Sequence, residues 1–242
     1  KEWYLKAADQ GSTFSQMKLG MVYLVEDNIA GFGLLMKAAE GNEKVAQYIL
    51  GTMYFTGEKV AKDKDKGLYW LEKSGQNNYK DAMFALGMLY DKGEHVKQDF
   101  SKSYFWFEKL ANTKDPRGEN QLGNCYLFGR GVESNFRTAK EWYEKSANQG
   151  VKEAQANLAA MYFYGMGMEK NYIEAKYWYE KAANQNFPDA QYGLGVILEF
   201  GLGVKPDLPK AKEYYQKAAD QNHESAKVAL ERLANNKKSE LI

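Results

Sequence analysis

Cysteine, histidine and proline are scarce in this chain: one, two and four among 242 residues. A single cysteine forms no internal disulfide, and a chain of this length needs none to hold a core. Two histidines far apart, His95 and His223, do not supply the clustered ligands that a metal site requires. Charge of one sign is missing as well: Lys plus Arg is 33 against 32 for Asp plus Glu, a net charge of +1. Such a balance provides no field for steering toward nucleic acid or anionic lipid. No apolar run is long enough to span a bilayer, so membrane insertion is not expected. Hydrophobic residues at 44% and charged residues at 27% lie in the ordinary globular range, which argues against disorder.

What is abundant is aromatic, and it is periodic. Trp70, Trp106, Trp142 and Trp178 are spaced by 36, Tyr214 holds the next phase, and Trp3 precedes them. Leu50, Leu86, Leu122, Leu158, Leu194 and Leu230 share the same period, with Leu19 lying 31 residues before Leu50. Each leucine but the last precedes a small residue: Gly20, Gly51, Gly87, Gly123, Ala159 or Gly195. Another small residue sits four positions earlier, as at Ala46, Ala82, Gly118, Ala154 and Ala190. Lysine fills one phase seven times, from Lys6 and Lys37 to Lys181 and Lys217. Self-similarity at a fixed period of this size is the signature of a stacked repeat.

Each unit carries two helical patterns, helix A and helix B. In the fifth copy Ala154, Leu158 and Tyr162 make one stripe of an A helix; in the fourth, Ala139, Trp142, Tyr143, Ser146 and Ala147 make one stripe of a B helix. Small positions allow two backbones to approach, while Trp and Tyr fill the space between. One pair cannot bury its stripe alone, so neighbours must stack. Between A and B lies a glycine turn, as in Gly129-Arg130-Gly131-Val132, Gly165-Met166-Gly167-Met168 and Gly201-Leu202-Gly203-Val204. Asp63, Asp99, Asn135, Asn171 and Asp207 follow the turns at N-cap positions for helix B. Asn171 with Glu174 approximates a capping box. Pro116 and Pro188 stand in the first turn of helix A, where proline is tolerated.

The pattern small-x-x-x-Leu-Gly-x-x-Tyr-x-x-Gly-x-Gly-Val, followed by Ala-x-x-Trp-Tyr-x-Lys-Ala-Ala, resembles the Sel1-like repeat of the tetratricopeptide-like superfamily along essentially the whole chain. The resemblance implies an all-α fold, an α/α right-handed superhelical solenoid of tandem 36-residue helix-turn-helix repeats with a concave binding surface. It also implies adaptor and scaffold roles, in bacteria among other organisms. Relatives with two cysteines per repeat are disulfide-linked and secreted; Cys125 stands alone, which sets this chain apart from them.

The expected organisation is a single array over 1–242. A partial helix B occupies 1–11, repeats occupy 12–42, 43–78, 79–114, 115–150, 151–186 and 187–222, and a capping helix with a frayed tail from Lys237 occupies 223–242. The chain starts inside a repeat, as a fragment of a longer protein or with an unpaired remnant helix would. No signal peptide is visible at Lys1, and a cytoplasmic and a periplasmic location are both compatible with that start. In the first full copy five residues are missing between A and B, and Glu26-Asp27-Asn28-Ile29 replaces the glycine turn. The shorter connection should tilt that pair or tighten the local superhelix; loop variation and a specialised contact site both explain it. At Leu230 the following glycine becomes Glu231 and the tyrosine becomes Ala234, a polar outer face of the kind a capping element needs.

Catalytic chemistry finds little support in these residues. His95 takes the second glycine slot of its turn, and His223 opens the last helix. The glycine pairs lack the third glycine and preceding strand of a dinucleotide fingerprint and the Gly-Lys-Ser/Thr ending of a P-loop. The repeated carboxylates are explained by capping without an acid–base role. Cys125, inside a helix A, reads as a buried thiol rather than a nucleophile. The lysine phase reads as a solvated face, with a basic binding stripe as its alternative, because Glu72, Glu108, Glu144 and Glu180 precede four of the lysines. No catalytic residue, cofactor or metal is therefore expected.

By analogy with tetratricopeptide arrays, helix A lines the concave face. Variable positions around each leucine then supply the partner-binding residues Tyr48, Phe55, Phe84, Met88, Asn120, Asn124, Phe128, Phe163, Tyr192 and Phe200. Asp81, Asp91, Glu153, Asp189 and Glu199 lie among them and outnumber the basic residues, so a basic protein or peptide is the expected partner. The reading is a non-catalytic protein-binding adaptor or scaffold. The alternatives are an immunity or inhibitor protein for a single toxin or enzyme, a hydrolase such as the β-lactamase activity attributed to cysteine-rich relatives, and self-association through the N-terminal edge.

Overall fold

The structure, a computed structural model, describes residues 2–26 and 30–239, the last four by backbone alone. Fourteen helices and no strand occur among the described residues. They form two compact units, Lys1–Thr113 and Lys114–Ile242. The first holds α1 (Glu2–Asp9), α2 (Thr13–Val25), α3 (Ala30–Glu40), α4 (Lys44–Thr56), α5 (Lys64–Gln76), α6 (Lys80–Lys92) and α7 (Phe100–Ala111). The second holds α8 (Pro116–Phe128), α9 (Phe136–Asn148), α10 (Lys152–Tyr164), α11 (Tyr172–Ala183), α12 (Pro188–Phe200), α13 (Leu208–Ala219) and α14 (Glu224–Ser239). Even-numbered helices are A, odd-numbered ones B. α14 continues through Lys237, where a frayed tail is expected, and residues 240–242 lie outside the described residues.

The turns follow from local chemistry. Asp63, Asp99, Asn135, Asn171 and Asp207 each accept the backbone N–H three residues on and so cap α5, α7, α9, α11 and α13. Gly57, Gly93, Gly129, Gly165 and Gly201 end the A helices in the left-handed conformation, with φ between 64° and 78°. A second left-handed residue turns each B helix into the next A helix. Asn42, Asn78, Asn186 and Asn222 serve there, Gly11 and Gly150 replace asparagine, and Lys114 adopts φ 60° without glycine's freedom.

From Gly51 onward, the small residue after the leucine seats the B-helix side chain twenty positions on; in the first copy, five residues shorter, the spacing is fifteen. A Cβ on Gly123 would lie 2.5 Å from the Tyr143 ring, one on Gly87 2.3 Å from Phe107, and one on Gly195 2.4 Å from Tyr215. Leu71 fills the same place against Gly51. In unit 2 the resulting core joins Tyr143, Leu158, Met161, Trp178, Tyr179, Leu194 and Ile197. In unit 1, Phe55, Leu71, Met83, Leu86, Trp106 and Leu110 make the equivalent cluster.

The first A–B pair keeps this register despite its short connection. Leu35 meets Gly20, and the helix backbones approach so closely that a Cβ on Gly31 would sit 2.7 Å from the Gly20 carbonyl oxygen. Glycine at both crossing points is what a shortened link between two helices needs. The expected turn at Asp27, Asn28 and Ile29 lies outside the described residues.

One core position is chemically mismatched. Ser103 is 1% exposed, and its Oγ has no hydrogen-bond partner. Ala139, Ala175 and Ala211 hold the same slot in α9, α11 and α13, each fully buried. Ser103→Ala removes an orphaned hydroxyl without changing the packing. It should stabilise unit 1 by about 1 kcal/mol, read as a rightward shift of its urea midpoint; a leftward shift would mean the hydroxyl has a partner in solution.

Candidate functional site

The exposed faces of the A helices are the surface that the repeat leaves over once its cores are built, and the ten expected residues fall on them unequally. On α4, Tyr48 is half-buried with its ring 5.2 Å from Tyr79. Phe55 is a correction: it is 9% exposed, its ring seated over Gly67, whose missing side chain leaves the space. Phe84 is half-buried near Phe107, and Met88 is half-buried one turn later on α6. On α8, Asn120 is also a correction, at 7% exposed with its Oδ1 accepting from Asn157 at 3.3 Å. Asn124 is half-buried and committed: its Nδ2 donates to Gln121 at 2.9 Å, and its Oδ1 accepts from the Tyr143 hydroxyl at 2.7 Å.

The remaining four lie toward the C-terminal ends of their helices or in the last groove. Phe128 is 61% exposed with the Arg130 guanidinium above it, and Phe200 is 57% exposed beneath Arg232. Phe163 is wedged edge-on between Tyr164 and Tyr172, whereas Tyr164 is 60% exposed. Tyr192 stacks on His223 at 4.9 Å. His223 in turn faces Asp189 through Nε2 at 3.1 Å and accepts the Ala226 N–H through Nδ1, which caps α14. Tyr192, Val196, Phe200, Tyr215, Val228 and Arg232 line a pocket of ≈ 540 Å³ between α12 and α14.

The lysine phase lies over aromatic rings, not in an open basic stripe. Lys73 covers Tyr69, Lys109 covers Trp106, Lys145 covers Trp142 at 3.6 Å, and Lys181 covers Trp178. Lys109 also donates to the Gly75 carbonyl, and burial pushes its ammonium below the ordinary lysine range.

A buried amide ladder escaped the sequence reading. Gln47, Gln155 and Gln191 sit at one phase of helix A and accept from Asn77, Gln185 and Gln221, thirty residues on. Glu119 takes that slot in α8, 4% exposed, accepting from Gln149 Nε2 at 2.7 Å. Burial raises its carboxyl above the usual range, against the lowering influence of Gln149 and Lys145. A raised folded-state value means that the folded protein holds its proton more tightly, so stability falls as pH rises above the ordinary carboxylate range. Glu119→Gln keeps the bond from Gln149 and removes the charge. It should raise the melting temperature at pH 7.5 by a few degrees, roughly 1 kcal/mol, with the gain shrinking toward pH 4; a gain independent of pH would show that charge is not the cause.

Among the described residues no group of three His, Cys, Asp or Glu is placed to hold a metal ion, and no helix is long and apolar enough to cross a membrane. Cys125 is buried.

The Sel1 repeat model matches residues 1–12, 44–79, 80–112, 116–151, 152–187 and 188–223, leaving the copy with the short connection unmatched. No curated protein matches. A Sel1 repeat protein from Oxalobacter formigenes is 32% identical with a TM-score of 0.75, over 93% of this chain and 66% of that one. A protective antigen of uropathogenic Escherichia coli with the same fold is 27% identical with a TM-score of 0.61, over 96% and 58%. An immunity protein from Pseudomonas aeruginosa, 21% identical over 80% and 74% with a TM-score of 0.50, shares the fold alone. The chain thus spans 58% and 66% of the first two structures. With six matches distributed from residue 1 to residue 223, the chain belongs to the Sel1 repeat family.

Proposed function

We propose that this chain is a non-catalytic adaptor that binds a protein partner through the exposed faces of its A helices, and that the partner presents basic residues. The observation that carries the reading is the recurrence of an exposed aromatic at one register position: Phe128, Tyr164 and Phe200, each the last residue of its helix, in three consecutive copies. Folding does not ask for them, since Thr56 and Lys92 close the corresponding helices in unit 1. Exposed aromatics flanked by polar groups are the anchors of protein interfaces. Asp189 and Glu153, exposed on the same set of helices, supply the acidic complement to a basic segment.

The test is quantitative affinity capture with the wild type against Phe128→Ser/Tyr164→Ser/Phe200→Ser. These residues are exposed, so the helical spectrum and melting curve should be preserved. One protein retained by the wild type and depleted at least about tenfold, some 1.4 kcal/mol, by the triple variant supports the reading. Equal retention by both variants overturns it. A single 1:1 partner of nanomolar affinity would instead favour the inhibitor alternative.

A further inference from the structure

Behind the lining of the pocket between α12 and α14, which itself includes Glu224, Tyr215 and Arg232 hold a carboxylate that the repeat does not require. Glu199 stands five residues after Leu194; the same position holds Phe55 in α4, Asp91 in α6, Leu127 in α8 and Phe163 in α10, so the repeat accepts apolar residues there. Its side chain is 7% exposed, which for a carboxylate demands compensation. Part of that compensation is built in by the same repeat, because the Tyr215 hydroxyl donates to Glu199 Oε2 at 2.8 Å. Burial, and then this bond, push the Tyr215 hydroxyl far above the ordinary phenol range, so it remains a donor at every working pH. The rest comes from α14. Arg232 places Nη2 at 2.6 and 2.7 Å from the two oxygens, and its guanidinium lies 5.8 Å from the centre of the Phe200 ring.

We propose that Glu199, Tyr215 and Phe200 form a guanidinium-binding subsite, filled in this structure by Arg232, that an incoming arginyl side chain takes over. This deepens the reading of the A-helix faces as a surface for a basic partner and rests on it. Three observations make Arg232 a replaceable occupant. Its side chain is 45% exposed, so the cation sits at the mouth of the pocket and not beneath it. A single nitrogen bridges both oxygens, whereas the parallel two-nitrogen fork is the stronger arrangement and becomes available to an incoming arginine once Arg232 withdraws. Finally, the ≈ 540 Å³ beside it, lined by Tyr192, Val196 and Val228, accommodates the aliphatic stem and neighbours of such a side chain. The planar cation, the buried acceptor and the aromatic face select guanidinium over ammonium.

The experiment uses the full chain and Nα-acetyl-arginine amide as probe, followed by NMR and calorimetry. Arg232→Ala should bind it saturably in the millimolar range, and the wild type about tenfold more weakly, because there the probe must displace Arg232. In the wild type, binding should also shift the Arg232 Nε–H resonance. Nα-acetyl-lysine amide and the citrulline analogue should bind at least about tenfold more weakly than arginine. Adding Glu199→Gln to Arg232→Ala should abolish uptake. Should Arg232→Ala lose helical signal, Arg232→Lys gives the same ranking with the positive charge kept. Equal uptake of lysine and arginine, or uptake that survives Glu199→Gln, overturns the proposal. Because the probe is small and the readout is on the chain alone, failure here leaves the capture experiment standing, and failure of capture leaves the subsite measurable.

Discussion

Gly31→Ala should destabilise unit 1 by about 2–3 kcal/mol, while Gly33→Ala, two residues along the same helix, should stabilise it by up to about 1 kcal/mol. Both changes add one methyl group to α3, so helix propensity favours both. What separates them is the surface each glycine faces. A Cβ on Gly33 meets nothing within 4 Å. A Cβ on Gly31 would lie 2.7 Å from the Gly20 carbonyl oxygen and 2.8 Å from the Leu24 nitrogen. Both are backbone atoms of a hydrogen-bonded helix and cannot swing aside as a side chain would. The variant must therefore force α2 and α3 apart, and the short link through residue 26 to Ala30 leaves little freedom for that. Urea unfolding gives the magnitudes. Hydrogen exchange of the α2 and α3 amides localises them, because the protection lost should be confined to this pair and its neighbours. If Gly31→Ala were as stable as Gly33→Ala, the close crossing would not exist in solution.

That crossing shows where the sequence was informative and where it was not. The Leu–Gly phase and the aromatic phase repeat often enough to specify helices, pairing and register, and the five N-caps following the A–B turns are occupied by the residues read from the sequence. Two other signals stood in the same period without being recognised: the asparagine or glycine at Asn42, Asn78, Gly150, Asn186 and Asn222, and the ladder of Gln47, Gln155 and Gln191. Neither contributes to an apolar stripe, so the helical periodicity of hydrophobic residues does not register them. The candidate site was less legible because one residue on a helix is a rotation of about 100°. Phe55 and Phe163, five after their leucines, turn inward to Gly67 and Tyr172, whereas Phe128, Tyr164 and Phe200, six after theirs, face solvent. Chemical type is the same in both rows, so only the neighbour decides. Glu199 shares the inward row, which is why its carboxylate is buried and why Arg232 had to be seen beside it before its role could be argued.

Tyr143→Ala should cost about 3–5 kcal/mol, and Tyr143→Phe only about 1 kcal/mol. Tyr143 is fully buried in the unit 2 core, with its ring packed against Gly123. Truncation to alanine empties that space, and the glycine opposite has no side chain with which to refill it. Phenylalanine keeps the ring and removes only the hydroxyl, which donates to Asn124 Oδ1 at 2.7 Å. Burial pushes that hydroxyl far above the ordinary phenol range, so it acts as a donor throughout the working pH range. The half-buried Asn124 can recruit water in its place, which keeps the cost small. Tyr143 fixes the orientation of the Asn124 amide, which donates onward to Gln121 on the exposed side of α8. Releasing it alters the A-helix face without touching any exposed residue. A cycle of Tyr143→Phe, Asn124→Ala and the double variant should show a coupling of about 1 kcal/mol in stability. If α8 contributes to the partner surface, Tyr143→Phe should weaken capture while the melting temperature falls by only a few degrees. Additive effects in the cycle would mean that the hydroxyl and the amide are independent, and the amide would then be free to serve a partner directly.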